Sequence, residues 1–232
     1  MSKYKYLLFD MDNTLLDFSR AEYLSFERTA KEAGLDYSEE LYELYSRIND
    51  SLWKKLEVGG IKLEELKIER FRMLLSEIGY SDPEERERIA TFMRNRYMLV
   101  LGEQGCMIDG APEVCEKLSG KYDMYILTNG IADIQRSRYA ISGLGKYFKE
   151  MFISEEIGHT KPERAYFDYV FDKIGDQDKT KYLMIGDSLT SDCDGAIAYG
   201  IDICRFNPTG ADNKGRVLTY TIKKLTDLYE IL

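Results

Sequence analysis

The chain opens on an uninterrupted apolar run, Tyr6-Leu7-Leu8-Phe9. Its length and abrupt polar flank predict a strand buried on both faces of a parallel sheet. The period then changes to that of helices for a long way. Ser19-Arg20-Ala21-Glu22 predicts a capping box opening a first helix, which Gly34 ends as a left-handed C′ residue. A second helix from about Ser38 carries Leu41, Leu44, Tyr45, Ile48, Leu52 and Leu56 on one stripe, and Gly59-Gly60 breaks it. A third carries Leu63, Leu66, Phe71, Leu74, Leu75 and Ile78 and ends at Gly79. Asp82-Pro83 supplies an N-cap and an N1 proline for a fourth, running to about Tyr97.

From Pro112 the pattern alternates. Apolar runs at Met124–Leu127, Met151–Ile153, Tyr182–Ile185 and Ile201–Cys204 are separated by helical patterns at Pro112–Ser119, Ile131–Ala140, Pro162–Ile174 and Ser191–Tyr199. A last strand near Val217–Thr221 and a helix from Lys223 close the chain. Such alternation predicts an α/β fold, a Rossmann-like parallel sheet with right-handed crossovers. The all-α segment, residues 16–100, reads as an insertion after the first strand, leaving 1–15 and 101–232 as the core. No internal repeat or low-complexity tract is evident.

Composition narrows the partners. Over 232 residues, 32 Lys+Arg against 41 Asp+Glu leave a formal charge of −9, which argues against a nucleic-acid polymer or an anionic membrane surface. No apolar stretch approaches the roughly 20 residues of a membrane helix. The N-terminus runs into a core strand without a separate apolar leader, so we expect no signal peptide. Cys106, Cys115, Cys193 and Cys204 lack the spacing of a metal or disulfide framework, and buried small hydrophobes in a reducing cytoplasm are expected.

Candidate chemistry gathers at the strand ends. The first strand ends in Asp10-Met11-Asp12-Asn13-Thr14, the next in Thr128-Asn129-Gly130, and another in Gly186-Asp187-Ser188, with Asp192 and Asp194 shortly after. Thr160-Lys161-Pro162 opens a helix between them. In a parallel sheet these groups share the carboxyl edge, where open α/β sheets bind ligands. Carboxylates, a hydroxyl, an amide and a lysine suit phosphoryl transfer with a hard cation. Asp10 and Asp187 offer carboxylates for Mg²⁺ and a backbone carbonyl near Asp12 a third ligand. Lys161, Thr128 and the amides of Asn129-Gly130 offer donors to a phosphoryl group. Each has a structural alternative: Thr128-Asn129-Gly130 as a common turn, Lys161 as a solvated helix start, Asp187 and Asp192 as helix caps. His159, alone of its kind, and Cys193 read as loop and helix filler.

Asp10-Met11-Asp12-Asn13-Thr14-Leu15, Leu127-Thr128-Asn129-Gly130, Thr160-Lys161-Pro162 and Gly186-Asp187-Ser188-Leu189-Thr190-Ser191-Asp192 resemble the four motifs of the haloacid dehalogenase superfamily. The helical insertion sits where that family carries its first-type cap domain. The resemblance implies a phosphatase forming an aspartyl-phosphate and requiring Mg²⁺. It makes Asp10 the nucleophile, Asp12 the general acid/base, and Thr128, Asn129 and Lys161 the phosphoryl-binding groups. Asp10, Asp12 and Asp187 would hold the metal, with Asp192 ordering its water shell. The acid at Asp12 favours phosphate esters, because the family's dehalogenases lack one there.

Within the insertion, Asn49-Asp50-Ser51-Leu52-Trp53, Gly59-Gly60-Ile61, Leu66 and Arg70-Phe71 are similar to the pyrimidine 5′-nucleotidases of that superfamily, as are Asn13 and Ile153-Ser154-Glu155-Glu156-Ile157-Gly158. This implies a nucleoside monophosphate as the small phosphorylated partner, with Trp53, Gly59 and Gly60 as candidates for reading it. Trp53 has an alternative as core of its own helix. A sugar-phosphate or phosphoglycolate-type phosphatase, a phosphomutase, or a non-catalytic ligand-binding member are the competing readings. A cytoplasmic monomer or weak dimer is expected, with a cap that opens about linkers near Leu16 and Leu101.

Overall fold

The computed structural model describes residues 3–232. The chain divides into two compact units, one made of the chain up to Phe18 together with Gly105–Leu232, the other of Ser19–Gln104.

In the first unit, β1 (Tyr6–Phe9) is followed after the helical unit by α5 (Ala111–Ser119), β2 (Asp123–Thr128), α6 (Ala132–Ser142), β3 (Glu150–Ile153), α7 (Ser154–Ile157), α8 (Arg164–Ile174), β4 (Tyr182–Gly186), α9 (Asp194–Tyr199), β5 (Asp202–Phe206), β6 (Tyr220–Ile222) and α10 (Leu228–Ile231). The second unit holds α1 (Phe18–Glu32, begun at the boundary), α2 (Glu39–Glu57), α3 (Leu63–Glu77) and α4 (Pro83–Gly102). The six strands are all parallel, in the order β3-β2-β1-β4-β5-β6. The chain winds outward in both directions from β1, so the topological switch lies beside β1.

The parallel sheet with an inserted all-α unit is the expected architecture. Successive β1 side chains serve opposite faces, as strand geometry requires. Leu7 and Phe9 join a core with Val114, Leu118, Met124, Ile126, Leu183 and Ile185. Tyr6 and Leu8 join one with Phe167, Val170, Phe171, Met184 and Ile203. Phe9 pairs with both Ile126 and Ile185, and β2 continues two residues and β4 one residue beyond that level.

Local signals were kept or overridden for identifiable reasons. Ser38 caps α2 through a bond from the Leu41 amide, and Asp82 caps α4 with Pro83 at its first position. The capping box at Ser19 does not form. Helix α1 already begins at Phe18, and Glu22 points inward, 5% exposed, to accept from Asn49 Nδ2 at 2.7 Å. Helix α4 continues past Tyr97 to Gly102 because Val100 and Leu101 extend its buried face. Residues 15–17 stay with the first unit: Ile108 N bonds Leu15 O, and Asp17 N bonds Cys106 O. The units therefore divide later at both boundaries than the 16–100 insertion read from the sequence. The helix expected from Pro162 starts at Arg164, and the one expected from Ser191 is preceded by a π turn over Leu189–Cys193.

The second unit is held by aromatic packing. Phe26 stacks on Tyr45 at 4.2 Å, Tyr45 on Phe71 at 5.7 Å, and the Arg70 guanidinium lies 4.4 Å from the Tyr97 ring centre. Glu22, Asn49 and Arg70 form a buried polar relay beside these rings, with Arg70 Nη1 donating to Asn49 Oδ1 at 3.3 Å. Burial, opposed by Arg70, pushes the Glu22 carboxyl up to about 7. A carboxyl raised in the folded state contributes stability below its ordinary value that is lost as pH climbs through 7. Between pH 5 and pH 8, Glu22→Gln should therefore gain on wild type by about 1–3 kcal/mol. Denaturant melts at both pH values check this; a pH-independent gap would show Glu22 titrating normally.

Candidate active site

The carboxyl edge of the sheet collects the predicted chemistry. Asp10 extends β1, its amide bonded to Ile185 O at 2.8 Å, and its side chain is buried. The chain then turns sharply: Leu15 N and Leu16 N both return to Met11 O. Asn13 takes φ +56° in that turn, a left-handed conformation that Asn tolerates better than most side chains.

Lys161, 1% exposed, enters from the segment before α8. Its Nζ donates to Asp10 Oδ1, Asp192 Oδ1 and Leu127 O, each at 2.7 Å. All three ammonium protons are thereby used. Burial opposes its charge, but Asp10 and Asp192 more than offset this and hold the ammonium well above its ordinary value. Asn129 fixes the lysine's backbone: its Nδ2 donates to Lys161 O and its Oδ1 accepts from Lys161 N, both at 2.8 Å. The Asn129 side chain is committed to this clamp, which leaves the phosphoryl-binding role expected of this turn to its backbone amides.

Asp192 is fully buried, and its Oδ2 accepts from Ser188 N at 3.1 Å. A Cβ at position 186 would come within 2.3 Å of that oxygen, so glycine there lets the acid fold back under β4. Asp187 lies beside it. Carboxylate oxygens of Asp10, Asp187 and Asp192 all lie within 4.8 Å of one another. Burial first, then the neighbouring carboxylates, raise Asp10 well above the usual range against the pull of Lys161. Burial and the Asp192 charge push Asp187 up to about 7. Crowded, desolvated oxygens of like charge fit a hard divalent cation, which offsets the repulsion that raises these carboxyls.

Asp12 is placed differently. Its Oδ1 forms an ion pair with Arg138, and its Oδ2 accepts from Gln135 Nε2 at 2.7 Å. Asp192 rather than the Asp12 carboxylate thus completes the acid cluster. The Thr128 hydroxyl, at the end of β2, accepts from Gly130 N at 3.1 Å and from Gln135 Nε2 at 2.7 Å. Neither Gln135 nor Arg138 was singled out in the sequence. Their signal is two polar residues continuing the buried face of α6 beside Ile134.

Chain similarity agrees with this geometry. Residues 4–200 match the model of the haloacid dehalogenase-like hydrolase family. The chain belongs to that family. Among haloacid dehalogenase-like relatives, YfnB of Bacillus subtilis is 37% identical over 100% of this chain and 97% of its own. The pyrimidine 5′-nucleotidase PynA of Streptococcus pneumoniae is 38% identical over 99% and 95%, and the pyrimidine 5′-nucleotidase YjjG of Escherichia coli 27% over 99% and 98%. The magnesium-bound crystal structure of YfnB superposes with a TM-score of 0.91, covering 99% of this chain and 98% of that one. The present chain is thus a haloacid dehalogenase-like hydrolase, an enzyme with a catalytic carboxylate cluster at its sheet edge.

The remaining candidates are less central. His159 is exposed, with Nδ1 3.0 Å from Glu163, and Cys193 is buried and free. Trp53 is half-buried near the end of α2, and Gly59 and Gly60 are exposed in the turn that follows. A φ of +71° is sufficient reason for glycine at 59. Among the described residues no helix is long and apolar enough to cross a membrane.

Proposed function

We propose that this enzyme is a Mg²⁺-dependent phosphatase that hydrolyses nucleoside 5′-monophosphates, with pyrimidine nucleotides preferred. The observation that carries the phosphatase reading is the buried Asp10 carboxylate. It is held by Lys161 on one oxygen and lies within a few ångströms of two further acids suited to a cation. The nucleotide preference draws on the names of PynA and YjjG and on the segments around Trp53 and Gly59-Gly60.

Asp10 attacks phosphorus, forming an acyl phosphate as the ester oxygen departs. Asp12 passes its proton to that oxygen, then accepts one from the water that cleaves the acyl phosphate and frees inorganic phosphate. Thr128 donates to the phosphoryl oxygens, while Lys161 keeps Asp10 oriented and offsets its charge. Asp10 and Asp187 would hold Mg²⁺, with Asp192 supporting it. When bound, the cation supplies charge neutralisation between the carboxylates and the phosphoryl oxygens. Trp53 is assigned to the base, which an indole ring can stack against.

Phosphate release across nucleoside monophosphates and sugar phosphates tests this. Selective turnover of pyrimidine monophosphates, suppressed by EDTA, is expected. Turnover of sugar phosphates alone would retain the chemistry and discard the nucleotidase assignment. No release from any ester, with EDTA making no difference, would overturn the proposal.

A further inference from the structure

Arg138 and Gln135 stand one turn apart on α6 and reach two groups of the site at once. Arg138 is fully buried and pairs with Asp12 Oδ1. Gln135, 2% exposed, donates through Nε2 to Asp12 Oδ2 and to Thr128 Oγ1, both at 2.7 Å, while its Oε1 accepts from Arg138 Nη1 at 3.3 Å. The amide has one possible orientation. A guanidinium only donates and a carboxylate only accepts, so Oε1 must face Arg138 and Nε2 must face Asp12. A Cβ at position 130 would come within 2.4 Å of the Gln135 amide; the glycine after Thr128-Asn129 is what lets that amide pass.

A threonine hydroxyl has two acceptor positions and one proton. Gly130 N and Gln135 Nε2 occupy both acceptor positions of Thr128 Oγ1. Its proton has no acceptor among the described residues and is left for an incoming one. With Gln135 absent, the hydroxyl is free to turn and accept, and a phosphoryl oxygen would then meet a lone pair.

We propose that Gln135 is a positioning residue that commits the Thr128 hydroxyl to donating, and that the Arg138–Gln135 pair ties this to the orientation of Asp12. The inference rests on the phosphatase reading for its ligand, an anionic phosphoryl group. Gln135 acts through Thr128 and Asp12, whose oxygens it holds.

The test is the affinity for inorganic phosphate, measured by calorimetry with Mg²⁺ on Gln135→Met, Thr128→Val and the double variant. Each single change should weaken binding about tenfold, the worth of one directed hydrogen bond to a charged group. The double variant should bind no more weakly than either single one, because both remove the same donor. Multiplying losses, or a folded Gln135→Met with wild-type affinity, would overturn the assignment. Should Gln135→Met not fold, Gln135→Glu keeps the shape and removes both N–H donors. It should lose at least as much affinity, and unchanged affinity there overturns the assignment equally.

Wild-type turnover of p-nitrophenyl phosphate separates the two ideas. An inactive protein with coupled phosphate affinities would remove the phosphatase reading and retain the role of Gln135. An active protein with multiplying losses would do the reverse. A wild type that neither turns over ester nor binds phosphate sinks both.

Discussion

Asp10→Asn should abolish phosphate release, lowering kcat roughly 10⁴-fold or more, while the metal-free protein melts no lower than wild type. The two halves have one cause. Asp10 is buried against Asp192 and Asp187, and its ionised form is disfavoured there despite Lys161. An amide keeps the shape, removes one of the crowded charges and leaves Lys161 its ion pair with Asp192. The amide is also a very poor nucleophile, so an acyl phosphate cannot form. Steady-state phosphate release and thermal melts in EDTA measure both halves. Retained turnover would rule out a covalent route through Asp10, and a collapsed fold would show that the charge is structurally required.

Lys161→Met should have the largest effect on stability. Its ammonium, 1% exposed, meets Asp10, Asp192 and Leu127 O. Removing one partner of a buried ion pair leaves uncompensated charge and costs about 3–5 kcal/mol. For a chain of this length that corresponds to a drop of roughly 10 °C in thermal midpoint. Activity should fall as well, since Asp10 loses the contact that orients it. Added Mg²⁺ should raise the variant's midpoint more than wild type's, because the lysine charge that offsets Asp10 and Asp192 is gone. Melts with EDTA and with Mg²⁺ distinguish the cases. Equal midpoints in EDTA would mean that the lysine does not stabilise the acid cluster.

The parts of the site legible in the sequence were those set by strand ends. Tyr6–Phe9 is a buried run, so Asp10 must sit at its carboxyl end, and the same reasoning places Thr128 and Asp187. Asn13, part of the resemblance read from the sequence, takes a φ of +56° in the turn after β1. Caps within one helix were legible when nothing outside the helix competed, as at Ser38 and Asp82. At Ser19 something did. Glu22 is drawn into the relay with Asn49 and Arg70, partners on two other helices, and the local box gives way.

Partner choice among charged groups was not legible. Asp12 stands two residues from Asp10, and nothing in that spacing says which cation either carboxylate meets. Asp10 turns to Lys161, 151 residues away, and Asp12 to Arg138, 126 residues away. Asp192 enters the acid cluster because Gly186 leaves room for it. The Asn129 side chain clamps the Lys161 backbone, a role that its place in a turn after β2 does not announce.

Residue order and hydrophobic period by themselves determined the alternation of strands and helices, the presence of a helical unit after the first strand, and the acids at the ends of β1 and β4. These follow from interactions among near neighbours and from the two-faced burial of a parallel strand. Tertiary structure alone decided which carboxylate faces which cation and which donors the Thr128 hydroxyl accepts from. Those outcomes depend on side chains brought within about 3 Å by folding, and a hydrogen bond leaves no periodic trace in the sequence.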